Sequence, residues 1–315
     1  MRQYIIIILC LFCGLSARSQ SAPTPEQAGS IYYAYPTPPE VSTPAPAGYE
    51  PFYISHYGRH GSRWMTADER YTEVVSVFDS LYRCSGLTPL GIDVRGRLHK
   101  VWEDARGCSG SITPLGERQH REIAGRMFRN FPQVFRADAR IDARSSTSVR
   151  CVLSMSYFTE RLKELNPALR VDRRAYHRYM DYIAYTSPEG EKFASEKAPW
   201  RSDFREFEKK NVRPERLMAS LFTNPSAIAD PAAMMRSLYW IAAYIQNVEL
   251  DLSFYDIFEY EELIGVWKTV NARMYVCNAA APLNGGLMPR QALPLLRNIV
   301  ESSDAAIRKG TPAGE

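Results

Sequence analysis

The hydrophobic pattern opens with an unbroken apolar run over 4–15, preceded by Arg2 and followed by small and polar residues up to Gln20. A basic start, an apolar stretch and a small-residue tail are the three parts of a secretory signal. Ala17 and Ser19 supply small residues where a signal peptidase reads them, so cleavage is expected after Ser19. The run is too short to cross a bilayer, and no other segment is long and apolar enough to do so. A lipoprotein reading through Cys13 is the weaker alternative, because bulky Phe12 stands directly before it. Over 20–50 the pattern gives way to prolines and tyrosines, as in Ile31-Tyr32-Tyr33-Ala34-Tyr35-Pro36-Thr37-Pro38-Pro39. Proline withholds the backbone donors that helices and central strands need, which predicts an extended surface arm anchored by tyrosines.

Regular elements begin after this arm. Phe52-Tyr53-Ile54-Ser55 predicts a short buried strand. Thr66-Ala67-Asp68-Glu69 has the form of a capping box, followed by apolar positions at Val74, Val77, Phe78 and Leu81. Thr88-Pro89-Leu90-Gly91 and Thr113-Pro114-Leu115-Gly116 are near copies, each placing threonine at an N-cap and proline at the first helical position. A helix is expected over 114–131, with Ile123, Met127 and Phe128 on one face. Then come a strand over 139–143, a helix over 147–165 and a strand over 169–172. Strands alternating with helices predict an α/β sheet covered on both faces. From His177 to Cys277 the pattern is mainly helical, with helices expected over 189–210, 214–222, 231–246 and 260–275. This stretch, taken as 177–282, reads as an insertion or lid over one edge of the sheet. A last helix over 289–309 returns to the body, so that 51–176 and 283–315 form the α/β core.

Charge narrows the function classes. The whole chain has 39 basic and 35 acidic residues, a net charge of +4. Cleavage would remove Arg2 and Arg18 and leave 37 against 35, or +2. Near neutrality argues against a nucleic-acid binder with a broad basic face. Four of the six cysteines lie beyond the signal: Cys84, Cys108, Cys151 and Cys277. None of these four forms a CxxC pair, which disfavours a structural zinc site. Export permits disulfides, and Cys84 with Cys108 is the first pairing to consider; free buried thiols are the other.

Candidate chemistry sits where the first strand ends, in Ser55-His56-Tyr57-Gly58-Arg59-His60-Gly61-Ser62-Arg63. Open α/β sheets bind ligands at the carboxyl ends of their strands. Gly58 and Gly61 are expected to let the backbone approach a ligand. Arg59 and Arg63 present planar forks suited to phosphate oxygens. A neutral His60 beside them is a competent nucleophile toward phosphorus, because the arginines disfavour its protonation and stabilise charge on the equatorial oxygens. Asp142-Ala143-Arg144-Ser145-Ser146-Thr147-Ser148-Val149-Arg150 puts a second arginine cluster where another strand feeds a helix N-terminus, itself an anion site.

These stretches, with Thr113-Pro114-Leu115-Gly116-Glu117-Arg118-Gln119-His120 between them, resemble the histidine acid phosphatases, and within them the multiple inositol polyphosphate phosphatase and phytase-like branch. The resemblance implies a phosphoglycerate-mutase-like sheet covered by helices, with a mainly helical insertion domain. His60 matches the nucleophile that forms a phosphohistidine. Arg59, Arg63 and Arg144 match the phosphate clamp, and Thr113 to His120 an architectural helix. The resemblance further implies a small phosphorylated substrate, such as phytate, outside the cell or in the periplasm, and no metal or other cofactor. Sugar phosphates or a broad range of monoesters are the alternative substrates, and a catalytically silent phosphate-binding protein is the alternative function.

Other polar residues carry weaker expectations. His56 either orients the site or is a hydrogen-bonded core histidine, and His99 and His120 read as solvated or capping. His177, Arg173, Arg174, Lys192, Lys197 and Arg201 are candidates to reach distal phosphates. The family's acid lies in a late His-Asp or His-Ala-Glu motif, yet the histidines after His60 are followed by Lys100, Arg121 and Arg178. The chain is therefore expected to stop short of its catalytic acid. Gly310 and Pro312 read as a turn leading to a further strand whose lack would open a sheet edge, and Glu315 is the alternative acid.

Overall fold

The structure, a computed structural model, describes residues 22–38, 43–136, 138–183, 186–309 and 313–314. The expected signal and Glu315 lie outside these residues. A two-residue strand β1 (Tyr53–Ile54) precedes the helices α1 (Glu69–Arg83), α2 (Pro89–Ala105) and α3 (Pro114–Asn130). Next come β2 (Arg140–Arg144), α4 (Val149–Leu165) and β3 (Arg170–Arg174). Seven helices follow: α5 (Met180–Ile183), α6 (Pro188–Ala194), α7 (Arg201–Asn211), α8 (Glu215–Leu221), α9 (Pro231–Tyr244), α10 (Tyr260–Asn278) and α11 (Leu287–Lys309). The chain then returns to the sheet as β4 (Ala313–Gly314).

All strand pairs are parallel, in the order β1-β4-β2-β3. Gly314 is level with Ile54, the last residue of β1, on one side and with Ile141, near the start of β2, on the other, so β4 joins the two strands in one parallel sheet. The turn expected around Gly310 and Pro312 lies outside the described residues, and β4 pairs between β1 and β2. β1 is shorter and less buried than expected, and Phe52 is exposed.

Local chemistry explains most helix limits. Thr88 accepts from the Gly91 amide at 3.0 Å and Thr113 from the Gly116 amide at 3.2 Å, each with proline in the first turn. The capping box at Thr66 does not form. Asp68 is the N-cap of α1, and its carboxylate accepts instead from the Ser109 hydroxyl. The helix expected over 189–210 is two helices, α6 and α7, with Pro199 between them. Proline there cannot donate to a helical ladder. Arg201 reaches back to the freed carbonyls of Ala194 at 2.7 Å and Ser195 at 3.2 Å.

Two main cores result. A smaller one joins Ala124 of α3, Ile141 of β2 and Leu162 of α4 with Phe135 and Leu169. The larger joins Tyr71, Phe78, Val94 and Leu98 of α1 and α2 to Leu217, Leu238, Tyr244 and Val266 of α8–α10. Ala28 and Tyr32 belong to this larger core. The arm is therefore not extended throughout: 27–32 winds into 3-10 turns interrupted at Ser30. Tyr32 is its buried anchor, while Tyr33, Tyr35 and Tyr49 are exposed. Among the described residues no helix is long and apolar enough to cross a membrane.

Candidate active site

The loop that leaves β1 is held by the first turns of α3. A Cβ on Gly61 would stand 2.5 Å from the Gly116 carbonyl oxygen, and one on Gly116 would collide with the Ser62 backbone. Two bare glycine backbones therefore cross here. Around the crossing, the Ser62 amide donates to Gln119 Oε1 at 2.9 Å and the Thr113 amide to the Ser62 carbonyl at 3.0 Å. The Gly61 amide donates to the Ser154 hydroxyl of α4 at 3.2 Å. Gly61 thus serves an approach between backbones, not the approach to a ligand expected from the sequence. Gly58 lines the cavity beneath His56, whose Nε2 would lie 3.0 Å from a Cβ at that position.

The loop, the end of β2 and the start of α4 enclose a cavity of about 720 Å³. Its walls include Arg59, His60, Arg63, Arg144 and Arg150, the Ser145–Ser148 approach to α4, and residues of α10 and α11. His60 Nδ1 is 2.8 Å from the Gly61 carbonyl oxygen. A carbonyl only accepts, so this contact places the proton of the neutral ring on Nδ1 and leaves the Nε2 lone pair free. Burial, with Arg59, Arg63 and Arg150 adding to it, pushes the His60 pKa down to about 4 against the opposing pull of the Gly61 carbonyl. The ring is neutral at physiological pH.

The guanidinium groups are held differently. Arg59 donates through Nη1 to the Ile31 carbonyl at 3.2 Å. Arg63 is buried, donating to the Trp64 carbonyl at 2.9 Å and the Tyr32 hydroxyl at 3.3 Å. Its Nε, like that of Arg150, has no hydrogen-bond partner among the described residues. Buried donors are normally paired, and an oxyanion in the cavity would pair them. Arg144 shares the cavity wall, but its Nη2 donates to Asp142 at 2.6 Å and its Nη1 to the Tyr182 hydroxyl at 3.2 Å. Burial opposes its charge, and Asp142 outweighs that and raises its pKa. Arg150, which the sequence motif contained without a role of its own, is the third arginine charge acting on His60.

None of the six residues expected to reach distal phosphates lines the cavity. Arg173 donates to the Thr159 hydroxyl at 2.6 Å, Arg174 to Asp142 at 2.8 Å, and Arg201 lies under Trp200. His177, Lys192 and Lys197 are exposed. His99 pairs with Asp79 at 2.8 Å. His120 is neither solvated nor capping: it is buried, lines the cavity, and its Nε2 has no partner among the described residues. Burial, then His56, lowers its pKa to about 4. The sequence carried a signal for this, because 116, 120, 124 and 127 share one helical face. His56 stacks on Phe158 with ring centres 5.0 Å apart, in place of a core hydrogen bond. Cys84, Cys108, Cys151 and Cys277 are free thiols; Cys84 is exposed, and the Cys84–Cys108 bridge does not form. Among the described residues no group of three or more His, Cys, Asp or Glu side chains is arranged to hold a metal.

Solved structures share this architecture. The multiple inositol polyphosphate phosphatase of Bifidobacterium longum in complex with inositol hexasulfate superposes with a TM-score of 0.71 at 16% identity, covering 91% of this chain and 77% of that one. Its phosphate complex gives 0.63 at 16% identity, over 89% and 75%. The phytase from D. castellii gives 0.50 at 16% identity, over 72% and 50%. The chain shares the fold of these solved phosphatases. No family model matches the sequence, and no curated protein does. The small parallel sheet with a largely helical body, expected from the three motifs, is the architecture found.

Proposed function

We propose that this protein hydrolyses phosphomonoesters through a phosphohistidine on His60. One observation carries the reading: a neutral His60 with its Nε2 lone pair free shares a cavity with three arginines whose charges act on it. Arg59, Arg63 and Arg144, joined by Arg150 and the amino end of α4, receive the phosphate oxygens. The Nε2 lone pair forms the N–P bond as the ester P–O bond breaks, and water then attacks phosphorus to release phosphate and the imidazole. The leaving oxygen needs a proton, and a general acid typically contributes ~10²–10⁴-fold to such a step. Asp142 is the one carboxyl among the described lining residues, and both its oxygens are held by arginines, so that role is not assigned to it. This engagement also supports the second reading, a protein that captures a phosphorylated ligand without turning it over.

Inositol polyphosphates such as phytate are the proposed substrates. The cavity, at about 720 Å³, is in the range of sites for whole small molecules, and four arginines stand on its walls. The similar fold of a protein solved with inositol hexasulfate supports the same class. Export to the periplasm or beyond is proposed from the pattern of 1–19 alone. Phosphate release from phytate, glucose phosphates and nitrophenyl phosphate, measured on the full-length protein, is expected to favour phytate. His60→Ala should abolish both turnover and the acid-labile phosphoenzyme trapped on quenching. A normal phosphoenzyme in that variant overturns the assignment.

A further inference from the structure

The N-terminal arm meets the site at two points. The Ile31 carbonyl accepts from Arg59, and the Tyr32 hydroxyl accepts from Arg63. The Tyr32 ring also lies 5.3 Å from the Arg63 guanidinium carbon, within cation–π range. These are the two arginines that flank His60, and both contacts come from consecutive residues some thirty positions earlier in the chain.

The arm is itself firmly held. The Tyr32 ring packs edge-on against Trp240 and Tyr244 at 5.7 and 6.0 Å. Asn247 Nδ2 donates to the Tyr32 carbonyl at 2.7 Å, Gln246 Oε1 accepts from the Ala34 amide at 2.9 Å, and the Tyr239 hydroxyl donates to the Ala28 carbonyl at 2.6 Å. All these partners lie on α9 or the turn that follows it. Just before the contact pair, Ser30 adopts φ 53° and ψ −125°, a region that side-chain-bearing residues seldom occupy. Such a conformation persists only where surrounding contacts over-determine it. Here it redirects the chain so that the Ile31 carbonyl and the Tyr32 side chain reach different arginines.

We infer that residues 30–32 are a positioning clamp for the phosphate-binding arginines, with Tyr32 as the positioning residue that aims Arg63. Each guanidinium has five donors in a rigid plane. Fixing one or two of them on arm acceptors sets the direction of the rest toward the cavity. α9 and the turn after it, which do not line the cavity, thereby set the phosphate geometry through the arm. The inference rests on the proposed phosphate site.

The test reads binding of inorganic phosphate to the full-length protein by isothermal titration calorimetry, so it does not depend on turnover. Tyr32→Phe keeps the ring in the core and removes the hydroxyl. It is expected to weaken phosphate binding several-fold, and Tyr32→Leu, which also removes the cation–π contact, tens-fold. In an Arg63→Ala background, Tyr32→Phe should cost nothing further, and this non-additivity separates aiming from general support of the fold. Ser30→Gly, which suits the observed φ, should retain the fold and the affinity, and it reports on the arm if Tyr32→Leu proves unstable. Unchanged phosphate affinity in Tyr32→Phe, or an equal loss with and without Arg63, overturns the clamp. Failure of the unaltered protein to bind phosphate overturns the parent reading instead.

Discussion

In the proposed reaction the histidine that attacks phosphorus must be uncharged, whereas the groups that hold its target must be charged. The structure separates these demands by atoms. The Gly61 carbonyl accepts a hydrogen bond from Nδ1–H, and burial with Arg59, Arg63 and Arg150 keeps a second proton off the ring. The His60 imidazole should therefore titrate near pH 4, followed by NMR of labelled histidine; titration near 6.5 would show that the ring is not held as described. Arg150 should matter to the reaction as one preorganised donor does, so Arg150→Ala should lower the rate by on the order of a hundredfold or more. Arg118 pairs with Glu249 on the surface at 2.5 Å, and Arg118→Ala should leave the rate nearly unchanged. Steady-state assays of the two variants decide this, and equal losses would mean that catalysis and architecture have been confused. Arg59, His60 and Arg63 were legible because one short motif carries all three. The partners of Arg144 were not, since they depend on where Asp142 and Tyr182 lie in space.

At the scale of elements, the site depends on a backbone crossing between a loop and a helix start. Gly116→Ala would drive a methyl into the Ser62 backbone, which cannot swing aside as a side chain does. Overpacking of this kind typically costs ~1–3 kcal/mol. The variant should lose that much stability in chemical denaturation and lose phosphate affinity with it, because His60 and Arg63 flank the displaced segment. Thr113→Ala removes the cap and the hydroxyl's 3.2 Å hydrogen bond to the Ser62 carbonyl without adding volume, and should cost about 1–2 kcal/mol with a smaller effect on binding. A Gly116→Ala protein as stable as the parent would show that the crossing is not tight. The Thr-Pro-Leu-Gly signature disclosed the cap through local chemistry. The partner of its glycine is more than fifty residues away, beyond what local pattern can report.

For the whole molecule, pH links the cavity to stability. His60 and His120 both have folded-state pKa values of about 4, below the ordinary 6.5. Between these values the unfolded chain binds more protons than the folded one, so stability rises with pH across the window. It is complete above about pH 6.5 and is progressively lost as pH falls toward 4. The melting temperature should therefore drop through this range, and His120→Asn, which takes up no proton, should flatten the dependence. A slope equal to that of the unaltered protein would mean that His120 accepts its proton while folded. The larger core makes the effect global, because it ties the arm, α1–α2 and α8–α10 into one packed body next to the cavity.

The sequence by itself determined the alternation of strands and helices in the α/β part, the proline-started helices, and the His60 loop with its neighbouring arginines. Each is written in short-range terms: apolar periodicity, a cap, a glycine beside a charged residue. Only the tertiary structure decided that α1 and α2 share their core with α8–α10, that β4 enters between β1 and β2, and that the arm grips Arg59 and Arg63. It also decided that Arg150 acts on His60. The physical reason is common to all of them. Hydrophobic burial is not directional and says only that a face must be covered, while the partner that covers it is chosen by packing between segments far apart in the chain.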